Sequence, residues 1–112
     1  MPALPFAPYL IAVSLSAGVD LQLHAGPPGT AELRLCLQGN GQQVRYELRV
    51  FSEGPAGRSQ SSQSGTLELR PETVCPLSRV IGAPPGTRIE ARMRWWADDV
   101  EQAEETQRFW VE

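Results

Sequence analysis

Apolar and polar residues alternate along most of this chain from Gly18 onward, and a period of two is typical of β-strands with one buried and one solvated face. The alternation is clearest in residues 43–51 and again in residues 87–96. No convincing helical period is present. The pattern therefore predicts an all-β fold.

Turn-forming residues divide the alternating chain into short segments. Ten glycines and ten prolines among 112 residues are too many for a helical bundle. Seven short strands, each with one apolar face, pack most simply as two antiparallel sheets, so we expect an immunoglobulin-like β-sandwich of about seven strands. The polar run 59–64 is either a solvated edge strand or a mobile loop, and further loops are expected at 53–58 and 97–105. The predicted strands are 19–24, 30–38, 43–51, 66–70, 74–80, 87–96 and 106–111.

The chain start differs from the rest in composition. Residues 1–16 carry no charge and are mostly apolar, and Ser14 and Ser16 are small residues in front of a possible cleavage site at Ala17. This predicts a secretory signal peptide, although the usual positive segment is missing. The alternative is a retained arm that is disordered or forms an edge strand. Residues 17–112 have the length of one domain and are expected to form a single sandwich.

The cysteines and the histidine limit the possible metal and redox chemistry. Cys36 and Cys75 lie far apart in the sequence and predict one disulfide if the compartment is oxidising, the alternative being two separate buried thiols. With His24 they supply too few ligands for a structural zinc site, which needs four. We therefore expect no metal.

No catalytic or nucleotide-binding motif is present. The chain has no GxSxG, Walker A or GxGxxG pattern. His24 falls on the polar side of its strand, where a solvated or capping role is expected. A formal net charge of −3 argues against a nucleic-acid binder held by net charge. The sequence thus predicts neither an enzyme nor a cofactor.

Four motifs follow one another in the second half of the chain: SEGPAGRSQS (52–61), GTLEL (65–69), PGTRIEARM (85–93) and QRFW (107–110). In this order they resemble the curli-assembly chaperone and inhibitor family of the CsgC/CsgH type, and the likeness covers roughly residues 18–111. The enteric branch of that family has a Cys-x-Cys pair where this chain has Gln42, Gln43 and Val44. The missing pair favours the CsgH-like branch and argues against carrying over a thiol-exchange role.

The resemblance implies a small periplasmic immunoglobulin-like protein that is not an enzyme. Such proteins keep curli subunits from forming amyloid inside the cell, at low ratios of chaperone to subunit. We accordingly expect a monomer that contacts amyloid-forming curli subunits transiently. The alternative is a structural or adhesive sandwich domain of a bacterial surface appendage.

A basic surface is expected where two strands meet. The third and sixth strands of an immunoglobulin-like sandwich are neighbours, so their outward residues form one surface. We call it the arginine stripe; Glu47 and Glu90 are interspersed in it, and Phe51 and Trp96 are expected at its ends. Guanidinium groups pair with carboxylates and stack on rings, so the stripe is the predicted client-binding surface. The alternative is ordinary cross-strand ion pairing. The stripe consists of Arg45, Arg49, Arg88, Arg92 and Arg94.

Overall fold

The computed structural model describes residues 17–112, and the regular structure in this range consists of β-strands. The all-β prediction is confirmed. The expectations for residues 1–16 lie outside the described residues. The strands are β1 (Gly18–Ala25), β2 (Thr30–Gln38), β3 (Gln43–Gly54), β4 (Gly57–Glu68), β5 (Val74–Gly82), β6 (Arg88–Ala97), β7 (Val100–Glu101) and β8 (Glu105–Trp110).

The strands form two antiparallel sheets. One sheet has the order β1-β2-β5, and the other has the order β4-β3-β6, with β7 and β8 both pairing with the far side of β6. The register of β7 against β6 differs by one residue from that of β8, so these two strands act as one strand that is interrupted at residues 102–104. The predicted immunoglobulin-like sandwich of about seven strands is confirmed.

The core lies between the two sheets and consists of the inward residues of the alternating pattern. Leu33 and Leu35 from β2 and Met93 from β6 are fully buried. Trp95 is also buried, and its indole N–H donates a hydrogen bond to the carbonyl oxygen of Ala103 at 3.1 Å. The hydrogen bond satisfies the one polar atom that this ring takes into the core.

The polar run 59–64 belongs to a long edge strand, not to a mobile loop. It lies within β4, which pairs with β3 over twelve consecutive residues. The predicted loop 53–58 is correspondingly shorter, because only residues 55–56 lie between the two strands. Gly57 closes this turn with a φ of 110°, a conformation that suits glycine. Because serine and glutamine occupy both faces of this strand, its sequence shows no alternation of apolar and polar residues.

The predicted acidic loop 97–105 contains more regular structure than expected. Asp98 and Asp99 form a tight turn between β6 and β7 with φ angles of 49° and 64°. The backbone N–H of Gln43 donates to the Asp98 carboxylate at 2.9 Å, and the Asp98 N–H donates to the Gln43 carbonyl oxygen at 2.8 Å. Aspartate tolerates the left-handed conformation that such a turn needs, so an acidic pair can replace the usual Asn-Gly.

The predicted disulfide joins Cys36 to Cys75. It links the neighbouring strands β2 and β5 of one sheet and does not cross between the sheets. The register of the two strands shifts between Leu35 and Leu37, at the position of Cys36. Both of these leucines are buried, so Cys36 lies on the outward face of the three-stranded sheet. The alternative of two buried thiols is wrong.

Candidate functional site

The pairing of β3 with β6 places the residues of the arginine stripe side by side on the outer face of the five-stranded sheet. Arg45 lies opposite Trp96, Arg49 lies opposite Arg92, and Arg88 lies opposite Glu53. The stripe arginines alternate with buried residues on their strands and are exposed. The predicted adjacency of the two strands is confirmed, so the five arginines share one surface.

Four of the five arginines have carboxylate partners on the same face. The hydrogen bonds from Arg94 to Glu101 raise the pKa of the guanidinium further above its usual range. In each pair both side chains remain partly exposed, and such pairs contribute little to stability. The N···O distances are 3.6 Å for Arg45–Glu47, 3.7 Å for Arg88–Glu53, 3.3 Å for Arg92–Glu90 and 3.0 Å for Arg94–Glu101.

Arg49 at the centre of the stripe is different. Within residues 17–112, no carboxylate oxygen lies within 4.0 Å of its guanidinium group. Its cross-strand neighbours are Arg92 on β6 and Ser62 on β4, and Thr106 lies beyond Arg92. Like charges directly opposite each other in a sheet are unfavourable. The centre of the stripe is therefore positive, and it lacks the compensation that ordinary cross-strand pairing would supply.

Aromatic rings hold several of these arginines in place. The guanidinium carbon of Arg45 lies 3.8 Å from the centroid of the Trp96 ring, and that of Arg94 lies 5.1 Å from the same centroid. At the other end, Arg88 lies 5.2 Å from the Trp110 ring centroid. Trp96 was expected at one end of the stripe, whereas Arg88 extends beyond Phe51, the end predicted on β3. Contacts of this kind limit the motion of long side chains.

The Arg88 end of the stripe opens into a groove of about 850 Å³. Phe51 and Trp110 provide apolar surface in it, and Arg58, Arg88 and Arg108 provide positive charge. Trp110 is 58% exposed, which is unusual for so large a ring. The sequence pattern does not point to Arg58, Arg108 and Trp110, because Arg58 falls in a predicted loop and the predicted stripe draws on the third and sixth strands alone. The motif QRFW consists of two polar residues followed by two apolar ones, so its pattern does not show that Arg108 and Trp110 share one face.

Glu90 is the main negative group between the stripe and the groove. It lies 2.8 Å from Arg108 Nε and 3.3 Å from Arg92 Nε. The hydrogen bond from Arg108 holds the pKa of Glu90 below its usual value of 4.5, and the charges of Arg92 and Arg108 act in the same direction. Glu90 is thus ionised at neutral pH and ties two arginines together.

The remaining chemistry-bearing residues lie elsewhere. His24 is half exposed on β1, where its Nε2 is 3.9 Å from a carboxylate oxygen of Glu32. In the part of the chain that the structure describes, no three side chains of histidine, cysteine, aspartate or glutamate are grouped so that they could hold a metal ion. Nor does any helix there have the length and apolar character needed to cross a membrane.

Comparison with known proteins gives structural matches only. No protein-family model matches this sequence, and neither does the sequence of any curated protein. The solution structure of R. palustris CsgH aligns with a TM-score of 0.61 and 18% identity, covering 81% of this chain and 90% of that chain. The E. coli curli protein CsgC aligns with a TM-score of 0.60 and 16% identity, covering 84% of this chain and 98% of that chain.

A third solved structure shares the sandwich within a longer protein. Spo0M, a sporulation control protein from Bacillus subtilis, aligns with a TM-score of 0.52 and 13% identity, covering 87% of this chain but only 49% of that one. CsgH and CsgC, in contrast, are covered almost from end to end. At these identities the matches describe the fold, and the chain has the CsgC/CsgH-type fold.

Proposed function

We propose that this protein is a periplasmic chaperone that inhibits premature amyloid assembly of curli subunits at low molar ratios. It acts by transient electrostatic contact from the arginine stripe and performs no chemical step. The fold shared with the curli protein CsgC supports this assignment. The Cys36–Cys75 disulfide supports a location outside the cytosol, where thiols are not kept reduced.

The pair Arg49–Arg92 is the observation that carries the proposal. The two side chains lie directly opposite each other, and Arg49 has no carboxylate oxygen within 4.0 Å among residues 17–112. A sheet face that serves stability alone would place a glutamate at one of these positions, because opposite charges across strands are favourable. Arg49, a positive group without an ion-pair partner among the described residues, instead suits brief contact with carboxylates or polar side chains of a client.

The four stripe arginines that have a carboxylate partner fit fast and weak contact. Each can exchange its own glutamate for a group on the client at little net cost, because exposed ion pairs are weak. Positive charge near the surface also raises the rate of encounter with a client that carries negative charge. Inhibition at low ratios requires that the contacts act on scarce early species.

The test is a thioflavin-T time course of the purified curli major subunit with this protein at ratios far below one to one. We expect a longer lag. The double variant R45E/R92E is expected to lose the effect. The matched control is R34E/R70E, which makes the same charge change at exposed arginines outside the stripe, and it should inhibit like the wild type. Circular dichroism of both doubles checks the fold.

Two results would contradict the proposal at different levels. An unchanged lag even at equal ratio would reject the chaperone function. Inhibition that persists in R45E/R92E would reject the arginine stripe as the contact surface and leave the function standing.

A further inference from the structure

The free side of β4 is an unusually open sheet edge. β4 lies at the end of the five-stranded sheet, and none of the strands within residues 17–112 pairs with its other side. Its pairing with β3 continues over twelve residues without a bulge. Soluble proteins commonly interrupt such an edge with a charge, a proline or a bulge. From Ser59 to Leu67 this strand has no charged residue and no proline.

Charged residues stand only at the two ends of this uncharged stretch, and their signs are opposite. Arg58 precedes it and Glu68 follows it. Arg58 lies opposite Glu53 and Glu68 lies opposite Gln43, so both side chains are on the outer face that also carries the arginine stripe. The side chain of Arg58 is 83% exposed although it pairs with Glu53. Glu68 has no ion-pair partner among the described residues.

We propose that two copies of this chain pair with each other, antiparallel, through their β4 edges. With Gln63 opposite Gln63 of the second copy, Arg58 of each copy falls opposite Glu68 of the other. Residues opposite each other in an antiparallel pair lie on the same face of the sheet, as both of these side chains do. The sequence of β4 is therefore complementary to itself.

The charges also select this register over its neighbours. A shift by two residues in one direction places Arg58 opposite Arg70, which is repulsive. The opposite shift places Arg58 opposite Thr66 and leaves Glu68 without a partner. A shift by one residue puts the outer residues of one copy in register with the inner residues of the other, which would break the common surface.

Edge pairing of this kind buries a small area, and interfaces below about 1,200 Å² are typical of weak, transient association. We therefore expect a monomer in dilute solution, in agreement with the sequence-based expectation, and a dimer at high concentration. The inference depends on the β4 edge and not on the proposed function. In the dimer, the two five-stranded sheets join into one that carries two arginine stripes on one face.

Sedimentation velocity from micromolar to millimolar concentration tests the pairing. The apparent mass of the wild type should rise toward that of two chains. R58E and E68R should each remain monomeric, because each places like charges opposite one another. An equimolar mixture of R58E and E68R should associate again, since both end pairs become complementary in the mixed dimer. R34E makes the same charge change at an exposed arginine of β2, in the other sheet; it is the matched control and should dimerise like the wild type.

Recovery in the mixture also shows that both variants are folded. A wild type that stays monomeric at millimolar concentration would overturn the proposal. Dimerisation of R58E and E68R that equals the wild type would overturn it as well, because the contact would then lie on another surface. A thioflavin-T result that rejects the chaperone function would leave this inference intact.

Discussion

The guanidinium group of Arg45 stacks on the indole ring of Trp96, with 3.8 Å between the guanidinium carbon and the ring centroid. The two residues are direct partners across β3 and β6. Arg94 lies on β6 like Trp96, and its guanidinium carbon is 5.1 Å from the centroid of the same ring. One half-buried tryptophan thus fixes the positions of two arginines of the stripe.

Replacing this ring should cost measurable stability. We expect W96A to lower the free energy of unfolding by about 1–2 kcal/mol, since two cation–π contacts at an exposed site contribute about 0.5–1 kcal/mol each. W110A removes one longer contact, 5.2 Å from Arg88, and should lose less. Urea titration of the two variants gives the comparison. A larger loss in W110A would contradict the importance of the Arg45 contact.

Arg49 should show opposite effects on stability and on inhibition. R49E places a glutamate directly opposite Arg92, and a favourable cross-strand pair is worth about 0.2–1 kcal/mol. We therefore expect a slightly higher urea midpoint together with weaker inhibition of amyloid formation. R34E, on the other sheet, is the control for charge alone. A variant that gained stability and inhibited like the wild type would show that Arg49 is not part of the contact.

Replacing Asp98 and Asp99 by glycine, one at a time, should change the stability of the protein in opposite directions. Asp99 has a left-handed backbone conformation, which is unfavourable for a residue with a Cβ atom. D99G removes this cost, and we expect the free energy of unfolding to rise by about 0.5 kcal/mol. D98G relieves the same conformation but removes the acceptor of the Gln43 N–H, whose loss costs about 1 kcal/mol. Thermal unfolding should rank D99G above the wild type and D98G below it. Equal effects would mean that the Gln43 contact contributes nothing.

The ion pairs of Glu90 should make the stability of the protein depend on pH in the acidic range. Its pKa is lowered in the folded protein by the hydrogen bond from Arg108 and by the charge of Arg92. Its contribution to stability is therefore present above its usual pKa of 4.5 and is lost as the pH falls through the lower, folded value. The stability difference between wild type and E90Q should shrink as the pH falls below 4.5. NMR titration of the carboxyl carbon should show that R108Q raises the pKa more than R92Q does.

Removal of the disulfide should lower the stability of the protein and leave its inhibition of amyloid assembly unchanged. C36S/C75S removes a link between residues 39 positions apart, and the chain-entropy account gives a loss of about 3–4 kcal/mol. The variant should still inhibit amyloid assembly at temperatures where it is folded, because the stripe lies on the other sheet. Urea titration with and without a reducing agent measures the loss. Unchanged stability would mean that the bond does not form.

Much of the fold could be predicted from the alternation of apolar and polar residues. Val44, Tyr46, Leu48 and Val50 are buried as their spacing predicts, and the strand order of an immunoglobulin-like sandwich correctly makes β3 and β6 neighbours. The edge strand β4 stayed ambiguous because its serines and glutamines face solvent on both sides. A period-two signal requires one buried face, and most of β4 has none.

The candidate site was predictable in part. Outward positions on β3 and β6 gave the five arginines, but not which of them are compensated. The partners Glu53 and Glu101 lie in segments assigned to loops, so Arg88 and Arg94 could not be told apart from Arg49. The groove at Trp110 needs the register of β8 against β6, and that register depends on the interruption at residues 102–104, which has no clear sequence signal.

The covalent bond and the charged face occupy opposite sides of the sandwich. Cys36 and Cys75 face outward from the three-stranded sheet, and Arg49 and Arg92 face outward from the other. No strand contributes to both features. The two can therefore diverge independently in evolution: a lineage in a more reducing environment could lose the bond and compensate in the core, while the charge of the other face is retuned by substitutions on β3 and β6 alone.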